Sequence, residues 1–383
     1  MQDGYICIIM EAKYLLIINH GKDAPFERIS LGKGEYVREL PSLWKDPQKV
    51  FLGLGDFLEI GDYSTLMDNI FFDTEGIKLE NILDVNNRRI ALEGNIPYSF
   101  FKLAVYFPDF LLKEVPTTCV SVIGEKSRIF PGAETFVGFI KEYEPLVLTA
   151  MPFEIAVEFI KRMGLIEKNL ISTEYRKKKD PHQNEIYAGD IIRFISGDRK
   201  SIEIEKYMHE KNLKKDDVVY IGRGEAGIKT FSTVNSIAFN PFDNIIPESR
   251  ITLYGSSLIS LLTLFNFNGK LDSLVQHPAY DEYLPSLVVF SNMKEKSQEL
   301  IELEKEYRNM QGNIIGQRIE HSGISYKSVE REIEVVFAGS SINIGQVKQM
   351  VTNRMKLYKN NPGELVKKIY DMAMVRYKTF CTA

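Results

Sequence analysis

The chain has 383 residues, more than one typical domain holds, with 44% hydrophobic and 26% charged residues, the balance of a globular rather than a disordered protein. Lys and Arg number 48 against 52 Asp and Glu, a net charge of -4, which argues against a generally basic nucleic-acid binder. Three scattered cysteines (Cys7, Cys119, Cys381) and five histidines without metal-ligand spacing exclude a disulfide framework and give a Cys/His metal centre no support.

No stretch reaches the roughly 18 apolar residues that a membrane span needs. The opening MQDGYICIIMEAK has no basic n-region or cleavage pattern of a signal peptide, so a cytoplasmic location is expected. The first strand falls at Lys13–Ile18 and empties into Asn19, His20, Gly21 and Lys22, polar and small residues that end a buried strand in a loop. Residues 31–114 show no strand–helix alternation; aromatics from Trp44 to Phe101 are broken by Gly53, Gly55, Gly61 and Gly76. This stretch reads as an inserted cap module with its own small core.

From Val115 the pattern becomes regular. A helix at Glu134–Tyr143 precedes a strand at Leu146–Leu148, and a second helix follows at Phe153–Met163. Ile155, Ala156, Phe159, Ile160 and Met163 lie on one face of that helix. The charged run Tyr175–Asp180 precedes a strand at Ile191–Ile195; its basic part, Arg176–Lys179, reads as a solvated turn, with contact to an anionic partner as the alternative. Then come a helix at Ser201–Lys211, a strand at Val218–Ile221, a short helix from Glu225, a strand at Ser236–Phe239 and a helix at Ser256–Phe265. Strands separated by helices of this length predict an α/β, Rossmannoid parallel sheet covered by helices, with ligands at the strands' carboxyl ends. Beyond residue 266 a C-terminal helical extension is expected. Met293, Leu300, Leu303, Tyr307 and Met310 form a heptad-like stripe on one long helix, suited to packing on the parent domain or to a protein partner or second copy through residues 292–316. Further helices are predicted at Gly345–Tyr358 and Gly363–Tyr377.

Four strand ends stand out: Asn19-His20-Gly21, Thr149, Gly197-Asp198-Arg199-Lys200, and Gly222-Arg223-Gly224-Glu225. Around them stand FPGAETFVGFI (130–140), LVLTAMPFE (146–154), VVYIGRGEAGIKTF (218–231) and SIAFN (236–240). Their order and spacing resemble the haloacid dehalogenase superfamily. Within it the chain looks like the archaeal group known as energy-converting hydrogenase A subunit R, on LEIGDYSTLMDNI (58–70) and NMKEKSQELIELEKEYRNMQGNIIG (292–316). The resemblance implies a core at 1–30 and 115–265, the cap at 31–114 and the extension at 266–383.

Active members of that superfamily use an Asp after the first strand as nucleophile, a second Asp two residues on for the proton, a Ser/Thr and a Lys for the phosphoryl oxygens, and acids at the fourth strand for Mg²⁺. On this resemblance the chain departs at the acids: Asn19 and Gly21 stand at the first motif, Arg223 and Gly227 at the fourth. Thr149, Lys200 and Arg223 stay as anion-holding candidates. A guanidinium in place of a carboxylate reverses the charge where a dication would sit. The expectation is therefore a catalytically silent, haloacid-dehalogenase-like binding or regulatory subunit, with no cofactor and no metal. An alternative stays open. Ile70–Gly76 (IFFDTEG) also ends a strand-like run in acids, and with Asp73 as nucleophile and Glu75 as its partner the chain would be an Mg²⁺-dependent phosphohydrolase. Thr149 also reads as an N-cap for the helix behind it, and Lys200 as a solvated side chain.

Overall fold

In a computed structural model of the chain, the residues described are 14–19, 27–31, 47–54, 112–195, 197–224, 227–241, 246–265, 286–291, 296–321 and 342–356, with single positions at 335, 364, 367, 371 and 375. They form an α/β fold in which short buried strands alternate with helices. The strands are β1 (Tyr14–Asn19), β2 (Glu27–Leu31), β3 (Lys49–Gly53), β4 (Leu146–Pro152), β5 (Leu170–Lys179), β6 (Glu185–Arg193), β7 (Val218–Gly222), β8 (Asn235–Phe239), β9 (Ile251–Tyr254) and β10 (Ser286–Ser291). The helices are α1 (Thr117–Lys126), α2 (Ala133–Phe139), α3 (Phe153–Arg162), α4 (Asp198–Lys211), α5 (Ile228–Thr233), α6 (Gln298–His321) and α7 (Ile344–Lys356).

The chain divides into two compact units. The first comprises Met1–Leu58, Ile129–Leu146 and Glu203–Gly323. Its strands follow the order β2-β1-β10-β9-β8-β7-β3. β3, β7, β8 and β9 are mutually parallel neighbours, β10 runs antiparallel to β9, and β1 pairs parallel with β10. β3, β7 and β9 are buried at every residue, the near-continuous apolar character of strands covered on both faces. Phe130 meets Phe239 edge-on at 5.5 Å, and the Ser257 hydroxyl donates to the Pro131 carbonyl at 3.1 Å.

The second unit comprises Glu59–Arg128, Val147–Ile202 and Ile324–Ala383. β4 pairs parallel with β5, and β5 forms an antiparallel hairpin with β6. α3 buries Ile155, Ala156, Val157, Phe159 and Ile160, the face its apolar spacing predicts. α1 crosses α3 at Gly124, where a β-carbon would lie 2.4 Å from the Ile155 carbonyl oxygen; only glycine allows that approach. The Arg162 guanidinium donates to the carbonyls of Gly124, Glu125 and Ser127, neutralising the carboxyl end of α1.

The structure departs from the sequence reading at several places: β2, β9 and α1 are not foreseen by it, and the helix expected at Ser256–Phe265 is a 3-10 helix at Leu258–Leu264. Residues 49–53, inside the stretch read as an insertion, form β3 in the sheet; the rest of that cap lies almost wholly outside the described residues. Residues 286–291, inside the helical extension, form β10. The basic run at 176–179 is strand rather than turn, because pairing with β6 gives its side chains two faces to divide between; Asp180 falls in the hairpin turn. The strand expected at Ile191–Ile195 starts earlier, at Glu185, and runs antiparallel as the hairpin's second arm. The helix expected at Gly363–Tyr377 lies outside the described residues apart from isolated positions. Among the described residues no helix is long and apolar enough to cross a membrane.

The stripe on α6 packs on its own unit. Leu300 and Tyr307 are buried with Ile17, Tyr254, Leu287 and Val289, flanked by Leu303 and Met310. Beside them Lys296 Nζ contacts both Glu304 oxygens at 2.8 and 2.9 Å, and Tyr254 donates to Glu304 Oε1 at 3.3 Å. Burial pushes the Lys296 ammonium below its ordinary pKa although Glu304 opposes it. Leu300→Ala should therefore lower the free energy of unfolding by about 2–5 kcal/mol, measured by urea denaturation.

Candidate functional site

For two groups at strand ends to share a ligand, the strands must run side by side in the same direction. β3 and β7 do so, with Phe51 opposite Tyr220 and Leu52 opposite Ile221, and each ends in a glycine, Gly53 and Gly222. Side chains two apart on a strand share a face, which places Tyr220 on the face of Gly222. Its ring is 2% exposed and is held edge-on by Phe231, 5.1 Å between centroids at 74°. A β-carbon on Gly53 would stand 3.1 Å from the Tyr220 hydroxyl oxygen, one on Gly222 2.8 Å and one on Gly227 2.5 Å. One phenol thus fills the space that side chains at three surrounding positions would need.

Arg223 follows β7 and is half-buried; it is the ionisable side chain among the described residues at these two strand ends. Magnesium prefers hard, anionic oxygens, and neither a guanidinium nor a phenol supplies one, so the described residues at these strand ends do not fit the metal. More widely, no cluster of three His, Cys, Asp or Glu suited to a metal occurs among the described residues.

Asn19 ends β1, opposite Ser291 of β10, and the other neighbour of β1 is β2. Gly227 directly precedes α5. Gly21, Asp73, Glu75 and Glu225 lie outside the described residues. Thr149 and Lys200 belong to the second unit and are 1% and 5% exposed. Thr149 caps no helix: Pro152 holds the N-cap position of α3 without a side-chain bond, and the Thr149 oxygen accepts the Met151 N–H at 3.1 Å. That leaves its hydroxyl hydrogen to be donated. Lys200 sits in the first turn of α4 and is buried, not solvated. Sequence reasoning passed over Gly53 and Tyr220. The available signal was KVFLG (49–53), in which the apolar Val50, Phe51 and Leu52 end in glycine.

A second polar cluster lies inside the second unit. The buried Glu154 carboxylate meets Lys177 Nζ at 2.7 Å and accepts the Tyr187 hydroxyl at 2.7 Å. Lys177 also reaches Glu185 at 3.1 Å. Burial works to lower the Lys177 ammonium, but the bonds and charges of Glu154 and Glu185 outweigh it and raise its pKa above 10.5. Burial, then the Glu154 charge, holds the Tyr187 phenol well above 10.0. These groups satisfy one another, as buried charges must, and offer nothing to a substrate. Burial pushes the neighbouring Cys119 thiol up to about 12, which rules it out as a nucleophile near neutral pH.

No family model matches the chain, and no curated protein matches it. Similar solved structures include a phosphoserine phosphatase as a phospho-aspartyl intermediate analogue, 17% identical with a TM-score of 0.43 over 58% of this chain and 100% of that one. A HAD-family hydrolase from Salmonella enterica serovar Typhi is 12% identical with a TM-score of 0.43, over 65% of this chain and 90% of that one. A gene product of Archaeoglobus fulgidus is 14% identical with a TM-score of 0.40, over 55% and 78%. Likeness at this distance does not bear on individual residues.

The phenol and the glycines should be energetically coupled. Gly227→Ala should cost about 1–3 kcal/mol by overpacking, and a double-mutant cycle with Tyr220→Ala, read by urea unfolding, should show most of that cost disappearing. In the second cluster, Lys177 and Tyr187 both bind their protons more tightly folded than unfolded. Their shifts leave stability intact below about pH 10, and it should fall as pH rises through the raised values. Tyr187→Phe, which removes a hydrogen bond to a charged group, should cost about 1.5–3 kcal/mol at neutral pH and flatten that alkaline decline.

Proposed function

We propose that the chain is a catalytically silent protein of the haloacid dehalogenase type, a cytoplasmic binding or regulatory subunit built on a phosphatase-like scaffold. The carrying observation is the Tyr220 phenol among Gly53, Gly222 and Gly227, at the strand ends where an active member would place a nucleophile and a magnesium ion. On this reading the first-motif position falls to Gly53, because β3 is the parallel neighbour of β7 whereas β1 pairs with β2 and β10. A glycine there removes the nucleophile more completely than the amide of Asn19. Arg223 and Gly227 then stand where the metal-binding acids would be.

Thr149 and Lys200 in the second unit, and Arg223 in the first, are each proposed as anion-holding residues. Two are buried polar side chains, and all three offer hydrogen-bond donors without a carboxylate among them. A protein partner follows from the resemblance of the chain to a hydrogenase-complex subunit. Leu300 and Tyr307 of the α6 stripe are already buried in their own unit, so a partner at residues 292–316 would meet other positions there, such as the exposed Ile301.

The purified protein should show no Mg²⁺-dependent hydrolysis of p-nitrophenyl phosphate or phosphoserine, and Mn²⁺ should not broaden resonances near Tyr220 in paramagnetic NMR. Turnover that needs Mg²⁺ and vanishes in Asp73→Asn would overturn the proposal in favour of an active phosphohydrolase.

A further inference from the structure

The second unit holds a groove of about 440 Å³ between the β5–β6 hairpin and the start of α7, within the range of about 300–1,000 Å³ that small-molecule sites occupy. Its floor is apolar: Pro116, Ile186, Val347 and Met350, of which Ile186 and Val347 are 7% and 8% exposed. Its rim is charged. The hairpin divides its basic run by alternation: Lys177 lies opposite Tyr187 and joins the buried cluster, while Lys178 lies opposite Ile186 and shares the groove's face. Lys179, opposite Glu185 at the end of β5, also lines the groove.

The charges on the rim are unequally committed. Asp180 is taken up by the hairpin turn, where it accepts the His182 and Asn184 N–H groups at 2.8 Å each and the Asn184 side-chain amide at 3.0 Å. Those bonds, the side-chain amide first, hold its carboxyl below the usual carboxylate range. Arg176 pairs with Asp190 at 3.3 Å and Lys177 with Glu154 and Glu185. Lys178 and Lys179, by contrast, have no ion-pair partner among the described residues. Glu114 is the one other acid on the rim, so the uncommitted charge there is net positive.

We infer that this groove binds a small organic anion, its carboxylate or phosphate head held by Lys178 and Lys179 and its apolar body laid on Pro116, Ile186, Val347 and Met350. The groove shares no residue with the β3–β7 strand ends, so the inference stands apart from the question of catalysis.

Met350 gives a built-in reporter. The full chain, carrying methyl-¹³C methionine and assigned with Met350→Leu, is titrated with octanoate and with phenyl phosphate, with octanol and phenol as neutral counterparts. The Met350 methyl resonance should move with at least one anion, and the one that moves it identifies the head group. The exposed pair Lys178→Ala/Lys179→Ala should weaken that binding about tenfold without altering the rest of the spectrum. The inference is overturned if neither anion moves Met350 at millimolar concentration. It is equally overturned if the double variant binds as tightly as the parent, or if octanol or phenol binds as well as its anionic counterpart.

Discussion

Tyr220 and the three glycines around it constrain one another. Its hydroxyl stands 2.8 and 2.5 Å from where a β-carbon would be at Gly222 and Gly227, closer than side chains approach without a shift, and 3.1 Å from one at Gly53, a tight contact. The ring cannot retreat, because it is buried and braced by Phe231. Close packing of this kind transmits a change at one position to all the others. The carboxyl ends of β3 and β7 therefore form an apolar, filled junction, where an open parallel sheet ordinarily leaves a crevice for a ligand.

How much of this was legible in the sequence depended on what each segment's neighbours supply. β4, β7, β8, α3 and α4 were legible because apolar runs and helical spacing are local properties. β3 was not. Five residues of KVFLG beside an irregular aromatic stretch carry no period, and only pairing with β7 makes them a strand. β10 hid for the same reason behind the end of the strand–helix alternation. YRKKKD (175–180) looked like a solvated turn because four basic residues in a row have no apolar alternation. In the hairpin, Tyr175 and Lys177 face inward and Lys178 faces the groove. The α6 stripe was read correctly as a stripe, but whether it packed on its own sheet or on a partner depended on β1, β9 and β10, which are distant in sequence. At the strand ends, Arg223 and Gly227 were visible as departures, whereas Gly53 needed the sheet order.

The buried ion pairs were also out of reach of sequence, and they act in opposite directions. Glu154 finds Tyr187 33 positions away, a contact that exists only once the hairpin has folded over α3. Glu304 finds Lys296 8 positions away, across the first turns of α6. In the first pair acceptors outnumber the single ammonium, so the lysine is raised; in the second, burial and the nearby Arg308 dominate and the lysine is lowered. By linkage the first group loses stability with rising pH, while Lys296 contributes more as pH rises toward its unfolded value of 10.5. Each pair ties a surface helix or hairpin to one register, because breaking it strands a buried charge.

A filled strand end also differs in stability from a working one. A pocket of clustered carboxylates is a destabilising arrangement: each acid is partly desolvated, and each repels the others until a dication binds. On the silent-site proposal, glycines and an arginine in place of such acids would remove the repulsion, and a tyrosine ring among them would add buried aromatic surface. Stability and catalysis pull apart at such sites. The exchange resists reversal one residue at a time. An aspartate at position 53 meets the phenol before it meets any metal. An aspartate at 223 gains no ligand partner from Gly227. Removing the ring alone opens a cavity with nothing to fill it. On that proposal, magnesium chemistry at this end would require several changes at once, each costly without the rest. That is the physical sense in which this end of the sheet is committed to structure.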